Sequence, residues 1–132
     1  MNTVSRASPL NQGARRTMLY VEDNPLNAAV VRAILKAKRP EIVLTVVETG
    51  ALALEHLRRE KPDFLLIDIY LPDTNGLELL NTIRRDPTRR DIPAIATSAS
   101  MPAGEVKNLL ANGFAHFLQK PINSASLLQL LS

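Results

Sequence analysis

The 132-residue sequence has no cysteine, only five aromatic residues and no long hydrophobic run. Without cysteine there is no disulfide framework, no thiolate metal site and no thiol nucleophile, so any chemistry must come from oxygen and nitrogen groups. No stretch approaches the roughly 20 apolar residues of a membrane span, and the opening MNTVSRASPLNQGARRT lacks the apolar centre of a signal peptide. A cytoplasmic chain is expected. A basic surface for nucleic acid is also missing, despite a net charge of +3. Three of the 16 basic residues, Arg6, Arg15 and Arg16, fall in the first 16 positions, which hold no acid; the remainder carries 13 basic against 13 acidic residues. With no aromatics interleaved among basic runs, no direct nucleic-acid contact is predicted. Arg84-Arg85 and Arg89-Arg90 bracket Asp86 and Asp91 and read as a solvated helix end and loop.

What is present fits one domain of 14.5 kDa. Residues 1–16 are polar and aperiodic, which reads as a flexible linker or cloning remnant ahead of a domain over 17–132. From Thr17 onward, short apolar runs alternate with helix-period segments. MLYV (18–21) is the first predicted strand. Asn24-Pro25 then starts a helix to about Lys38, with a capping side chain ahead of proline and Leu26, Val30 and Ile34 on its apolar face. IVLTVVE (42–48) is a β-branched strand, followed by a helix with Ala51, Leu54 and Leu57; FLLI (64–67) precedes a helix with Leu77, Leu80 and Ile83. AIATS (94–98) precedes a helix with Val106, Leu109, Leu110 and Gly113 at one spacing, and HFLQ (116–119) precedes a short apolar segment. Five strand-then-helix units predict an α/β fold, a three-layer sandwich in which a parallel sheet carries helices on both faces.

In such sheets ligands bind outside the carboxyl ends of the strands. The residues just past those ends are Glu22-Asp23, Asp68, Thr97-Ser98 and Lys120. Three carboxylates together raise one another's pKa, and burial adds to the effect, so positive charge is required. Lys120 supplies one charge and a divalent cation two, which brings the cluster to neutrality. An all-oxygen donor set without Cys or His favours Mg²⁺, which keeps water or phosphate oxygens among its ligands. Phosphoryl transfer needs positioning and charge neutralisation around three equatorial oxygens. Asp68 is the candidate nucleophile for an aspartyl phosphate, with Lys120 and the Ser98 hydroxyl on phosphoryl oxygens.

The segments LYVEDNPLN, LLIDIYLPDTNG, IPAIATSAS and GFAHFLQKPI resemble, over roughly residues 17–131, the receiver domain of two-component response regulators. VEDNPLN and IPAIATSASMPAG are most similar to receiver modules of hybrid histidine kinases. The resemblance implies a flavodoxin-like fold with strand order 2-1-3-4-5, an order general to this fold. It implies that Asp68 is the phosphoacceptor, that Lys120 pairs with the phosphate, that Ser98 is the switch hydroxyl and that Phe117 is the aromatic switch. It further implies that Asp23, Asp68 and the Tyr70 backbone carbonyl ligate Mg²⁺, with Glu22 acting through water. The implied function is a phosphorelay receiver that takes its phosphoryl group from a histidine kinase or histidine phosphotransfer protein. Such a domain catalyses only its own phosphorylation and dephosphorylation. It would be the receiver module of a hybrid histidine kinase, tethered through that kinase to a membrane, or a stand-alone regulator. A homodimer would form through the face of the fourth helix, fifth strand and fifth helix.

Two positions depart from the common pattern of the family. Tyr70 is bulkier than usual two residues after the phosphoacceptor, and Phe117 lacks the hydroxyl of the more frequent tyrosine. The competing readings meet specific obstacles. A haloacid dehalogenase-like phosphatase needs an aspartate where Tyr70 stands. A flavin carrier needs a hydroxyl- and glycine-rich loop after the first strand. A receiver-like interaction domain without phosphorylation leaves five filled site positions unexplained. His56 and His116 read as surface or structural residues. Strand alternation sends Thr97 and Ser98 to opposite faces, and the resemblance favours Ser98 for the switch role. Asp73, Asn75 and Gly76 read as turn residues, the last two suited to positive φ.

Overall fold

Residues 64–68, FLLID, form the middle strand because the run has no polar face to offer water. The computed structural model describes residues 15–131. Its elements are β1 (Arg16–Val21), α1 (Pro25–Lys38), β2 (Ile42–Val47), α2 (Gly50–Arg59), β3 (Phe64–Asp68), α3 (Gly76–Arg84), a 3-10 turn over Pro87–Arg89, β4 (Ala94–Ser98), α4 (Ala103–Ala111), β5 (His116–Gln119) and α5 (Ser124–Leu131). The five strands form one parallel sheet in the order β2-β1-β3-β4-β5. Arg16 already pairs with Ile42, so the sheet takes in one residue of the expected linker. Positions 1–14 of that reading lie outside the described residues.

Strand alternation divides the apolar residues between two cores. Leu19, Val21, Leu65, Ile67, Ala94 and Ala96 face α2, α3 and α4 through Ala53, Leu57, Leu80, Ile83 and Leu109. Met18, Tyr20, Leu66, Ile95 and Leu118 face α1 and α5 through Val31, Leu35, Leu127 and Leu131. Leu65, Leu66 and Ile67 are wholly buried, each contributing about 1.5–3 kcal/mol of transfer free energy. This anchors the strand that ends in Asp68.

The helix starts follow the chemistry of their caps. Asn24, Thr49 and Asn75 each accept a backbone N–H in the first turn of α1, α2 and α3. The predicted apolar face of α1 is corrected. Ala28, Val31 and Leu35 are buried, and of the expected face Ile34 is half-buried against the core while Leu26 is 76 % exposed and Val30 is exposed. Apolar residues surround most of this helix, so spacing alone does not fix its rotation. In α2, Ala51 is exposed and Ala53 and Leu57 are buried. Gly113 lies past α4 at φ +117°, and continues no helical face.

Candidate functional site

The Glu22 amide donates to the Val47 carbonyl at 2.9 Å, which extends the β1–β2 ladder by one step and carries Glu22 to the carboxyl edge of the sheet. Its side chain lies on the face of Met18 and Tyr20 and is 1 % exposed. Three donors hold it: Lys120 Nζ at 2.7 Å and the Tyr20 hydroxyl at 3.0 Å on Oε1, and the Asn24 amide at 3.1 Å on Oε2. Burial pushes the Glu22 carboxyl up, but the bonds from Lys120, Asn24 and Tyr20 outweigh it and leave its pKa below the ordinary value.

Asp68 is the last residue of β3 and is also buried. Its Oδ1 accepts the Tyr70 amide at 2.9 Å and its Oδ2 accepts Lys120 Nζ at 2.7 Å. Burial raises its pKa, and the Lys120 and Tyr70 donors offset this only in part because the neighbouring Glu22 charge adds to it. Lys120 follows β5, where its amide donates to the Ser98 carbonyl at 2.8 Å and continues the ladder. Burial disfavours its charge, but the bonds to Asp68 and Glu22 prevail and raise its pKa. One ammonium therefore serves two buried carboxylates.

Asp23 is exposed beside them, and ligand oxygens of Glu22, Asp23 and Asp68 all lie within 4.8 Å of one another. Three carboxylates and one ammonium leave a net charge of −2 at a donor set made only of oxygens, and this fits a hard divalent cation. The loop after Asp68 is shaped by close approach. A Cβ on Gly76 would lie 2.9 Å from the Asp68 carbonyl oxygen and 3.0 Å from Ile69 Cα. Neither Asn75, at φ −109°, nor Gly76 has the positive φ expected of them.

The two hydroxyls of β4 are separated by the sheet. Thr97 stands in register with Asp68, on its face, whereas Ser98 shares the face of Ala96 and Phe117. Both are buried, and neither hydroxyl has a partner among the described residues. Phe117 is half-buried against the α2–α4 core. Tyr70 is 63 % exposed and bridges to Asn75 through its backbone. His56 is half-buried and His116 exposed.

Sequence alone does not reveal the roles of two residues, Tyr20 at the site and Asp73 in the loop after Asp68. Tyr20 looked like one more strand residue, although its place two before Glu22 puts it on the same face. Asp73 looked like a turn residue, yet its carboxylate accepts the Gly50 and Ala51 amides at 2.9 and 3.0 Å and ties the loop to the start of α2. Those two bonds hold its pKa below the usual range. No local signal announces a bond across 23 residues.

The family profile described as response regulator receiver domain matches residues 18–132. The polar-differentiation response regulator DivK of Brucella anthropi is 33 % identical over 108 residues, covering 82 % of this chain and 86 % of DivK. Among solved structures, the receiver domain of the sensor histidine kinase PA1611 from Pseudomonas aeruginosa PAO1 is 33 % identical with a TM-score of 0.78, covering 89 % of this chain and 95 % of that one. That structure carries a magnesium ion coordinated in its active site cleft. The phosphorylated cyanobacterial phytochrome response regulator RcpA is 26 % identical with a TM-score of 0.76, covering 89 % of each chain.

Proposed function

The chain belongs to the family of response regulator receiver domains, and from that premise we propose that Asp68 accepts a phosphoryl group from a phosphohistidine in a Mg²⁺-dependent phosphorelay. The observation that carries this reading is the buried Asp68 carboxylate, 2.7 Å from Lys120 Nζ and within 4.8 Å of Glu22 and Asp23 oxygens. In the transfer step an Asp68 oxygen attacks phosphorus. An O–P bond forms, the N–P bond breaks, and its electron pair returns to the donor imidazole. Lys120 moves onto a phosphoryl oxygen, and the Tyr70 amide keeps the other Asp68 oxygen in place. Asp23, Asp68 and the Tyr70 carbonyl would hold Mg²⁺, with Glu22 acting through water. When bound, the ion supplies the positive charge that two carboxylates and an arriving phosphoryl group require.

Ser98 and Phe117 share one face of the sheet, which supports their pairing as hydroxyl and aromatic switch. A Ser98 hydroxyl drawn to the phosphoryl group vacates space for Phe117. The face of α4, β5 and α5 then changes, and it is the surface proposed for a homodimer; Leu110 is exposed on α4. The donor is a histidine kinase or histidine phosphotransfer protein, and Leu26, Val30 and Tyr70, all exposed near the site, give it an apolar landing surface. The domain works in the cytoplasm, as the receiver module of a hybrid kinase or as a stand-alone regulator. The domain's own catalysis is limited to gain and loss of its phosphoryl group.

The test is transfer from a phosphorylated histidine phosphotransfer domain, followed by peptide mass analysis. The added phosphoryl mass is expected on the peptide holding Asp68 and should vanish in Asp68→Asn. Label that persists in this variant at another residue overturns the assignment.

A further inference from the structure

We propose that Tyr20 is a positioning residue for this transfer: its buried hydroxyl fixes Glu22 as the anchor on which Lys120 turns from Asp68 toward an arriving phosphoryl group. The inference rests on the reading of Asp68 as phosphoacceptor. Core packing requires only the ring of Tyr20, which is 0 % exposed among Val31, Leu35 and Leu127. A phenylalanine would fill the same space without bringing a polar atom into an apolar core. The hydroxyl is there and has one hydrogen-bond acceptor, Glu22 Oε1, at 3.0 Å. Burial, then the adjacent Glu22 charge, keeps the phenol protonated well above neutral pH, so it always donates.

The consequence lies in how Glu22 is held. Its three donors come from three parts of the fold: Tyr20 from within β1, Asn24 from the start of α1, and Lys120 from the end of β5. Tyr20 and Asn24 grip opposite oxygens, so the carboxylate cannot rotate when Lys120 moves. Lys120, by contrast, is shared by two carboxylates at equal 2.7 Å distances. Phosphorylation moves negative charge from Asp68 outward to the phosphoryl oxygens. A Lys120 that keeps its bond to an immobile Glu22 needs only to exchange Asp68 Oδ2 for a phosphoryl oxygen. If Glu22 could swing, the ammonium would lose the fixed end of that arc.

Tyr20→Phe removes the hydroxyl and keeps the ring. Phosphorylation by a small donor such as acetyl phosphate, at saturating donor and Mg²⁺, is expected to slow about tenfold, the lower range for a hydrogen bond to a charged group. The Mg²⁺ concentration for half-maximal rate is read separately, because Glu22 would reach the ion through water and an outer-shell partner can alter ion affinity; slowing that persists at saturating Mg²⁺ is the effect on transfer itself. In a Glu22→Ala background, where the hydroxyl has lost its acceptor, the same substitution should add nothing, since its route is through Glu22. A rate within about twofold of wild type, or slowing factors that multiply in the double variant, overturns the inference. So does a changed thermal midpoint with an unchanged rate, the mark of a purely structural hydroxyl. A wild-type domain that takes no phosphoryl group on Asp68 overturns the site reading as well, whereas equal rates in a phosphorylated pair overturn the role of Tyr20 alone.

Discussion

Replacing Lys120 with methionine keeps an apolar stem of similar length and removes the ammonium that Glu22 and Asp68 share. At an effective dielectric of about 20, each 2.7 Å contact carries roughly 6 kcal/mol of attraction, and each carboxylate pair near 4.8 Å about 3.5 kcal/mol of repulsion. Most of the attraction offsets the cost of burying three charges. The net loss should match that of removing one partner from a buried ion pair, about 3–5 kcal/mol, or about 12–20 °C in thermal midpoint for a domain of this size. The Glu22 contribution to the pH dependence should also change sign. In the wild type, the depressed pKa of Glu22 contributes stability present above its unfolded value and lost as pH falls through the folded one. Without Lys120, burial raises Glu22 as it already raises Asp68. The folded variant then binds protons that the unfolded chain has released, so its stability rises as pH falls toward the unfolded carboxylate range. Millimolar Mg²⁺ should narrow the gap to wild type by supplying the missing positive charge. Urea melts across pH, with and without Mg²⁺, measure all three effects. A Lys120→Met domain within about 1 kcal/mol of wild type, or one that loses stability on acidification, refutes the view of Lys120 as the compensating charge.

Gly76→Ala should cost about 1–3 kcal/mol, because its Cβ would press on the Ile69 side chain and also on the backbone of Asp68 and Ile69, which cannot swing aside. Thermal melts check the stability, and a slower phosphorylation rate checks the accompanying shift of Asp68. Leu26→Asp should leave stability within about 0.5 kcal/mol, since the side chain is 76 % exposed, yet slow transfer from a protein donor about tenfold. Unchanged phosphorylation by acetyl phosphate is the control, and equal slowing with both donors would refute a docking role.

The strands were readable because their apolar runs are short and bounded by proline or acid, as at Ile92-Pro93 and Lys120-Pro121. The candidate site was readable for the same reason: the first polar residue that ends the apolar runs of β1 and β3 is Glu22 or Asp68, and the residue that follows β5 is Lys120. The buried face of α1 was not, because eight of its first eleven residues, Pro25–Leu35, are apolar and no period stands out. The structure resolves this by burying Ala28, Val31 and Leu35. The misassigned Leu26 and Val30 are therefore the exposed residues beside the site. Sequence marks Gly76 only as a turn residue suited to positive φ, whereas its constraint in the fold is the Asp68 carbonyl facing it across the loop.

What no local pattern contains is register. Asp68 and Lys120 are 52 residues apart, and their 2.7 Å contact exists because β3 pairs with β4 through Asp68 and Thr97 while β4 pairs with β5 through Thr97 and Leu118. A slip of one residue in either pairing turns every later side chain of that strand to the opposite face. Lys120 would then point toward α4, and Glu22 and Asp68 would be left buried without their shared cation. That arrangement costs more than the apolar mismatch alone, so the polar site disfavours the slipped registers as the two cores do. The same coupling explains why a ligand that satisfies the carboxylates should stabilise the whole sheet rather than its edge. It binds only the register in which the three strand ends meet.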